Sequence, residues 1–291
     1  MTNDRHEAEE HARRRRDYAR RITAGLPARD PRVESAFAAV PRERFLGSPP
    51  WKIIEPQSGS VIETGDLARI YDDVLVQLDI ARHVNNGSPS LHALMLHHLG
   101  VRPGERILHL GAGAGYYSAL LGELAGPDGL VDAVEFDTKL AGSAAANLRG
   151  WPRVTLHRGD AAAFPAGEVD RIYVNFGVPA PALRWLRNLG MRGTLEFPLC
   201  ARGGRTSRGS GVVIAATRTG SAFSVRFVSR CWFVMAEGAL AGDAAQHERL
   251  AAALERDGIE FVRSLRLGET SPERCWLWTP EWSLSYDEPP A

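Results

Sequence analysis

The sequence predicts a doubly wound α/β fold, in which helices cover both faces of a mostly parallel sheet. Three observations predict it. Short apolar runs alternate with helical patterns over residues 106–189, a glycine-rich turn follows the first run, and acidic residues lie at the ends of the next two. Parallel neighbours are joined almost only by right-handed crossovers through a helix, so this alternation indicates parallel strands. Ligands of such sheets bind beyond the carboxyl ends of the strands.

The N-terminal part is predicted to contain helices and one irregular segment. Helical patterns cover residues 4–23, 32–40 and 89–99, each ended by glycine or proline. Residues 46–66 are rich in Gly, Ser and Pro and show little periodicity, so an irregular surface insertion is expected there.

The alternation itself begins at residue 106. Strands are predicted at residues 106–110, 130–136, 154–157 and 170–174, and helices at residues 117–125, 139–148 and 179–189. Beyond residue 195, strands at 212–217 and 224–233 are expected to close the sheet with an antiparallel edge, and a last helix at 244–257 precedes a tail rich in tryptophan.

Composition excludes several classes of protein. The 291 residues carry no net charge, which argues against a nucleic-acid partner, and no apolar run approaches the roughly 20 residues of a membrane span. The charged N-terminus lacks the apolar stretch of a secretory signal, so a cytoplasmic location is expected. Cys200, Cys231 and Cys275 lack metal-ligand spacing, which predicts core thiols and no metal site. The oligomeric state is not predictable.

Three glycines mark the candidate site. Gly111, Gly113 and Gly115 follow the strand at 106–110 with the spacing GxGxG. A dinucleotide fingerprint requires a further glycine where Tyr116 stands, and a phosphate-binding P-loop requires a nearby lysine, which is absent. Glycines allow a ligand to approach the backbone closely. Glu135, at the end of the next strand, can accept hydrogen bonds from both hydroxyls of a ribose. The pattern therefore indicates a nucleoside ligand without a pyrophosphate.

These glycines, with Glu135 and then Gly159-Asp160 after a third strand, resemble the cofactor site of class I methyltransferases, which bind S-adenosyl-L-methionine. The resemblance extends to the protein-L-isoaspartate O-methyltransferase family over residues 24–235. It implies a seven-stranded, Rossmann-like methyltransferase sheet. It also implies three segments: an N-terminal helical segment with a substrate-side loop at 1–88, the methyltransferase core at 89–240 and a C-terminal extension at 241–291.

Four landmarks carry this resemblance. Residues 30–45 are similar to the family's early helix and its Val-Pro-Arg-x-x-Phe turn, and Tyr71-Asp72-Asp73 is similar to its Tyr-x-Asp. Pro89-Ser-Leu-His-Ala93 occupies the place of its Ser-x-Pro-x-x-x-Ala motif, and Asp170-Arg-Ile that of its Asp-Arg-Ile strand. Departures accompany them: the family's serine falls on Gly87, with Ser88 one position later. His109 stands where an acidic residue is expected, and Ala161 replaces a glycine.

The resemblance implies a carboxyl O-methyltransferase that acts on an aspartyl or isoaspartyl group of a peptide or protein. The cofactor-binding residues would be Gly111, Gly113, Gly115, Glu135, Asp160, Ala161 and His92. By hypothesis, Ser88 is catalytic by orienting the acceptor carboxylate, together with the backbone of Asn86 and Gly87.

Alternatives remain open at this point. Ser88 could cap the helix that starts at Pro89, and His92 could be a packing residue. Asp72 and Asp73 are interpreted as turn or capping residues. A methyltransferase of natural-product precursor peptides and a catalytically silent relative are the rival functions, while the neutral charge disfavours a tRNA methyltransferase.

Overall fold

The computed structural model describes residues 2–55, 59–203, 208–268 and 270–290. Contacts divide the chain into two compact units. The first unit comprises Met1–Gly104, Ala112–Ala133 and Asp137–His157, and the second comprises Glu105–Gly111, Val134–Phe136 and Arg158–Ala291. The sequence segments 1–88, 89–240 and 241–291 divide the chain differently and stay a prediction.

The helices of the described residues are α1 (Thr2–Thr23), α2 (Pro31–Ala39), α3 (Leu67–Ile70), α4 (Pro89–Leu99), α5 (Tyr116–Ala125), α6 (Thr138–Asn147), α7 (Leu183–Arg187) and α8 (Ala244–Leu254). The strands of the same residues are β1 (Trp51–Ile54), β2 (Val61–Thr64), β3 (Leu75–Asp79), β4 (Val84–Asn85), β5 (Arg106–Leu110), β6 (Leu130–Glu135), β7 (Val154–Arg158), β8 (Val169–Val174), β9 (Leu189–Arg202), β10 (Arg208–Arg218), β11 (Phe223–Val234), β12 (Ser264–Leu267), β13 (Cys275–Trp278) and β14 (Trp282–Ser285). None of the described helices is long and apolar enough to cross a membrane.

Local side chains fix the helix starts of the first unit. The carboxylate of Asp30 accepts hydrogen bonds from the backbone of Arg32 and Val33 at the start of α2, where Pro31 occupies the first turn. Asp137 accepts from the Leu140 N–H at the start of α6. Such caps satisfy backbone donors that a helix leaves unpaired. The helices predicted at 32–40 and 139–148 are thus confirmed with small boundary shifts.

The described residues of the insertion at 46–66 include two strands, which corrects the irregular segment expected from its composition. Strands β1 and β2 form an antiparallel pair, with Trp51 opposite Thr64 and Ile54 opposite Val61. Residues 56–58 lie outside the described residues. Glycine and proline dominate the ends of the segment, while β-branched residues fill the strands and favour extended backbone. The four strands of this sheet have the order β2-β1-β3-β4.

The main sheet confirms the predicted α/β class. Its strand order is β13-β14-β12-β11-β10-β9-β8-β5-β6-β7. Strand β8 is parallel to both β5 and β9, and the pairs from β9 through β13 are antiparallel. The sheet is therefore mixed, and its described strands number ten instead of the predicted seven. The additional three, β12 to β14, come from the chain beyond residue 240.

Between residues 179 and 202, the bounds of one predicted helix were wrong and one strand was not predicted. The helix expected at 179–189 is reduced to α7, because Pro179 and Pro181 bias the preceding residues away from helical backbone. Strand β9 was missed, since Gly190, Gly193 and Pro198 interrupt its apolar pattern.

Candidate active site

Three strand ends lie side by side in the second unit. The Gly111 N–H, just after β5, donates to the Val134 carbonyl at 2.9 Å, and the Gly159 N–H, just after β7, donates to the Glu135 carbonyl at 3.0 Å. Glu135 is buried at the end of β6. The structure thereby brings together the first glycine, the ribose-binding candidate Glu135 and the Gly159-Asp160 pair.

Asp160 is held by two backbone donors. Its Oδ1 atom accepts from the Ala162 N–H at 2.8 Å, and its Oδ2 atom accepts from the Ala239 N–H at 3.2 Å. Ala161 is buried, and its carbonyl accepts from the indole of Trp185 at 3.1 Å. Phe136, directly after Glu135, is 52% exposed. This part of the second unit thus offers a fixed carboxylate beside an accessible aromatic ring, which suits a nucleobase.

The three glycines have different surroundings although all have positive φ, at 82°, 56° and 96° for Gly111, Gly113 and Gly115. A Cβ on Gly111 would lie 2.6 Å from the ring of Phe176, and one on Gly115 would lie 3.0 Å from Leu148. A Cβ on Gly113 would meet nothing within 4 Å. Gly111 and Gly115 therefore allow packing, whereas the space where a Gly113 side chain would lie is empty. Within the second unit, Gly111, Glu135 and Asp160 fit the nucleoside part of an adenosyl cofactor.

The predicted acceptor side lies in the first unit. The side-chain oxygen of Asn85 accepts from the Gly87 N–H at 2.9 Å. Asn86 makes two hydrogen bonds to the backbone of Val76. Its side-chain Oδ1 accepts from the Val76 N–H at 2.8 Å, and its backbone N–H donates to the Val76 carbonyl at 3.0 Å. The buried Nδ2 of Asn86 has no hydrogen-bond partner among the described residues. This amide is therefore fixed in orientation with a donor to spare.

Ser88 occupies the N-cap position of α4, but its hydroxyl does not cap the helix. Asp73 does so instead, because its Oδ1 atom accepts from the Ser90 N–H at 3.0 Å. The Ser88 hydroxyl donates to the same oxygen at 3.3 Å and lies 3.2 Å from the Ser90 hydroxyl. The capping role of Asp73 is confirmed, and the capping alternative for Ser88 was wrong. Its role toward an acceptor stays a prediction.

His92 lies against Gly87 and explains why no serine stands there. The buried imidazole stacks on Tyr117, with ring centroids 3.8 Å apart and an angle of 22° between the planes. Gly87 has a φ of 76°, and a Cβ at this position would overlap the imidazole. His92 therefore has a packing role, and its contact with the cofactor stays a prediction.

Arg42 holds the loop before β3, a role that the sequence pattern did not predict. Arg42 is fully buried, and its guanidinium donates to the carbonyls of Ile70, of Asp72 at 3.0 Å and of Val74 at 2.7 Å. These bonds fix the backbone on both sides of Asp73, the residue that holds Ser88. The Val-Pro-Arg turn contained this arginine, but only the fold shows which carbonyls it binds.

Within the part of the chain that the structure describes, no three His, Cys, Asp or Glu side chains form a group suited to a metal ion.

Comparison with known proteins shows similarity to one family. Residues 20–236 match the family model of protein-L-isoaspartate(D-aspartate) O-methyltransferase. A protein-L-isoaspartate O-methyltransferase of Rhodopseudomonas palustris is 35% identical over 185 residues, which cover 62% of this chain and 75% of the relative. That of Methanopyrus kandleri is 33% identical over 177 residues, covering 59% and 70%.

Solved structures support the fold. One protein-L-isoaspartate O-methyltransferase has a TM-score of 0.65 at 24% identity, covering 78% of this chain and 67% of the other. A Plasmodium falciparum protein described as such an enzyme, in complex with S-adenosyl-L-homocysteine, has a TM-score of 0.60 at 15% identity, covering 77% and 98%. The family match extends over most of the sequence. The chain belongs to the protein-L-isoaspartate(D-aspartate) O-methyltransferase family.

Proposed function

We propose that this chain transfers a methyl group from S-adenosyl-L-methionine to the free carboxylate of an isoaspartyl residue in a protein or peptide. The family match supports the reaction class. The observation that carries the proposal is the adjacency of Gly111, Glu135 and Asp160 in the second unit, created by two backbone hydrogen bonds between strand ends.

Each of the cofactor-side residues has a distinct role in this proposal. Glu135 accepts hydrogen bonds from the ribose hydroxyls, since a carboxylate offers acceptors on both oxygens. Asp160 accepts from the adenine amino group. A Cβ at Gly113 would meet no neighbour within 4 Å, so this glycine keeps space clear for the amino-acid part of the cofactor. The cofactor supplies an electrophilic methyl group on a sulfonium.

The acceptor requires orientation and no general base. A carboxyl group with a pKa of roughly 4 is already ionised at neutral pH, so its oxygen is a ready nucleophile. Holding the reacting atoms in line contributes up to roughly 7–11 kcal/mol to such a reaction. Ser88 and Asn86 are the residues we assign to this task, because both side chains are fixed by hydrogen bonds to neighbouring residues.

The test is transfer of labelled methyl groups to a synthetic isoaspartyl peptide. The product should be a base-labile ester, and a peptide of the same sequence with ordinary aspartate should gain far less label. Glu135→Gln should raise the KM for the cofactor with little effect on folding. Asp132→Asn provides the matched control, because Asp132 lies on the same strand and bonds His157 instead.

Binding of the cofactor product without ester on any peptide would contradict the proposal and indicate a silent relative. Esters on a precursor peptide, with none on isoaspartyl peptides, would overturn the assigned acceptor in favour of natural-product modification. Equal effects of Glu135→Gln and Asp132→Asn would remove the ribose-binding role.

A further inference from the structure

A short turn lies just beyond the region that matches the family, which ends at residue 236. After β11 the chain bonds the segment that follows β8: the Gly177 N–H donates to the Val234 carbonyl at 2.8 Å, and the Ala236 N–H donates to the Gly177 carbonyl at 2.9 Å. The chain then forms a 3₁₀ turn at Gly238–Leu240. Residues 237–241 are called the 237–241 turn below.

The 237–241 turn is anchored on both sides. The guanidinium of Arg202 donates to the Ala236 carbonyl at 3.2 Å, and the Nε2 of His247 donates to the Ala241 carbonyl at 2.9 Å. Leu240 packs against the hydrophobic core of the second unit. Anchors at each end restrict the positions that the turn can adopt.

The 237–241 turn contacts two cofactor-site groups of the same unit. The Ala239 N–H donates to Oδ2 of Asp160 at 3.2 Å. Gly238 has a φ of 68°, and a Cβ there would lie 2.7 Å from the same oxygen and 3.4 Å from the ring of Phe136. Only glycine combines this backbone with such close contact.

We propose that the 237–241 turn is a positioning and specificity element for the adenine ring. It holds the carboxylate of Asp160, and together with Phe136 it forms one wall of the position for the base. A carboxylate has about four acceptor positions. The N–H groups of Ala162 and Ala239 use one on each oxygen, so acceptors remain for the 6-amino group. This inference rests on the proposed function and adds a part of the chain that the family match leaves out.

The test measures binding of S-adenosyl-L-homocysteine by calorimetry. Gly238→Ala should weaken binding by about tenfold, which corresponds to about 1.4 kcal/mol. Gly268→Ala is the matched control, because Gly268 also has positive φ, at 81°, but a Cβ there meets nothing within 4 Å. It should change affinity by less than about twofold.

Two further measurements distinguish positioning of the adenine ring from a general loss of structure. In an Asp160→Ala background, Gly238→Ala should lower the affinity for S-adenosyl-L-homocysteine only slightly further, because the effects of residues that act through one another are not additive. The wild-type chain should also prefer S-adenosyl-L-homocysteine over S-inosyl-L-homocysteine, which lacks the 6-amino group, and Gly238→Ala should reduce that preference.

A variant-free measurement covers the case in which Gly238→Ala does not fold. Hydrogen exchange of the wild-type backbone at residues 237–241 should slow when S-adenosyl-L-homocysteine is saturating, whereas the segment around Gly268 should not respond. The inference would be overturned if exchange at residues 237–241 did not change on binding, or if Gly238→Ala kept the wild-type affinity. It would also be overturned if Gly238→Ala lowered the affinity as much in the Asp160→Ala background as in the wild type. If the wild-type chain bound no S-adenosyl-L-homocysteine, the proposed function itself would fail first.

Discussion

Replacing Glu196 with glutamine should remove a pH-dependent loss of stability. Glu196 is fully buried on β9, and neither carboxyl oxygen has a hydrogen-bond partner within the described residues. It is in register with Tyr173 of β8 and Ala215 of β10, and Tyr173 is in register with His109 of β5. Burial raises the pKa of the Glu196 carboxyl well above its ordinary value of 4.5. Burial also lowers the pKa of His109 from 6.5 to about 3.

The two groups change stability in opposite directions. Above pH 4.5 the unfolded chain releases the Glu196 proton while the folded chain keeps it, so stability falls as pH rises. One such group contributes a slope of about 1.4 kcal/mol per pH unit. His109 stays neutral in the folded chain down to pH about 3 but is protonated below 6.5 in the unfolded chain, so its contribution falls as pH falls through that window. The slopes oppose each other between 4.5 and 6.5, and Glu196 acts alone above 6.5.

Urea unfolding of the wild type and Glu196→Gln measures this effect. From about pH 6.5 to about pH 8 the stability of the variant relative to the wild type should rise by up to about 2 kcal/mol. Between pH 4.5 and 6.5 the variant should reveal the opposite slope of His109, which His109→Gln then removes. The unpaired amide of the substituted side chain changes the free energy of unfolding by the same amount at every pH, so it does not change the slope. A stability difference that stays constant across these pH values would refute the reasoning.

Three further predictions test the loop that holds Ser88. Arg42→Met should destabilise the chain by about 3 kcal/mol or more in urea unfolding, because it leaves three carbonyl groups without their buried donor; a loss below about 1 kcal/mol would contradict that role. Gly87→Ser should lower the stability by about 1–2 kcal/mol through its left-handed backbone alone, and by a further amount through the overlap with His92. Replacing His92 with alanine should relieve only the second part. Equal losses in both backgrounds would show that the imidazole does not exclude the serine. Asp73→Ala should destabilise by about 1 kcal/mol through loss of the α4 cap, and Ser88→Ala by clearly less; the reverse order in thermal melts would return the cap to the serine.

The sequence predicts those elements whose signal is local. Strand β5 was predicted with its observed boundaries, because a short, mostly apolar run between a proline-glycine turn and a glycine turn leaves little choice. Strand β9 has no comparable pattern. The buried acid Glu196 lies between the core residues Leu195 and Phe197. A charged residue inside a strand normally indicates an exposed position. Only the burial of both faces reveals it as a central strand.

The candidate site divides in the same way. The glycines, Glu135 and Asp160 each lie at or just after the end of a single strand, so their positions could be inferred along the chain. The capping of α4 by Asp73 depends on a contact across 17 residues, and the bond from Ala239 to Asp160 on one across 79. No local pattern contains such pairs. They follow from packing, which the sequence alone does not specify.

The same distinction explains why three equally spaced glycines need not have one function. Close approach of a ligand is the usual reason for glycine at such a turn, yet Phe176 and Leu148 lie against two of the three positions. An alanine at Gly111 or Gly115 would therefore disturb packing as well as backbone, whereas an alanine at Gly113 would meet no neighbour within 4 Å. A selective loss of cofactor affinity, with little loss of stability beyond the cost of the positive φ, is thus expected at Gly113 alone among the three.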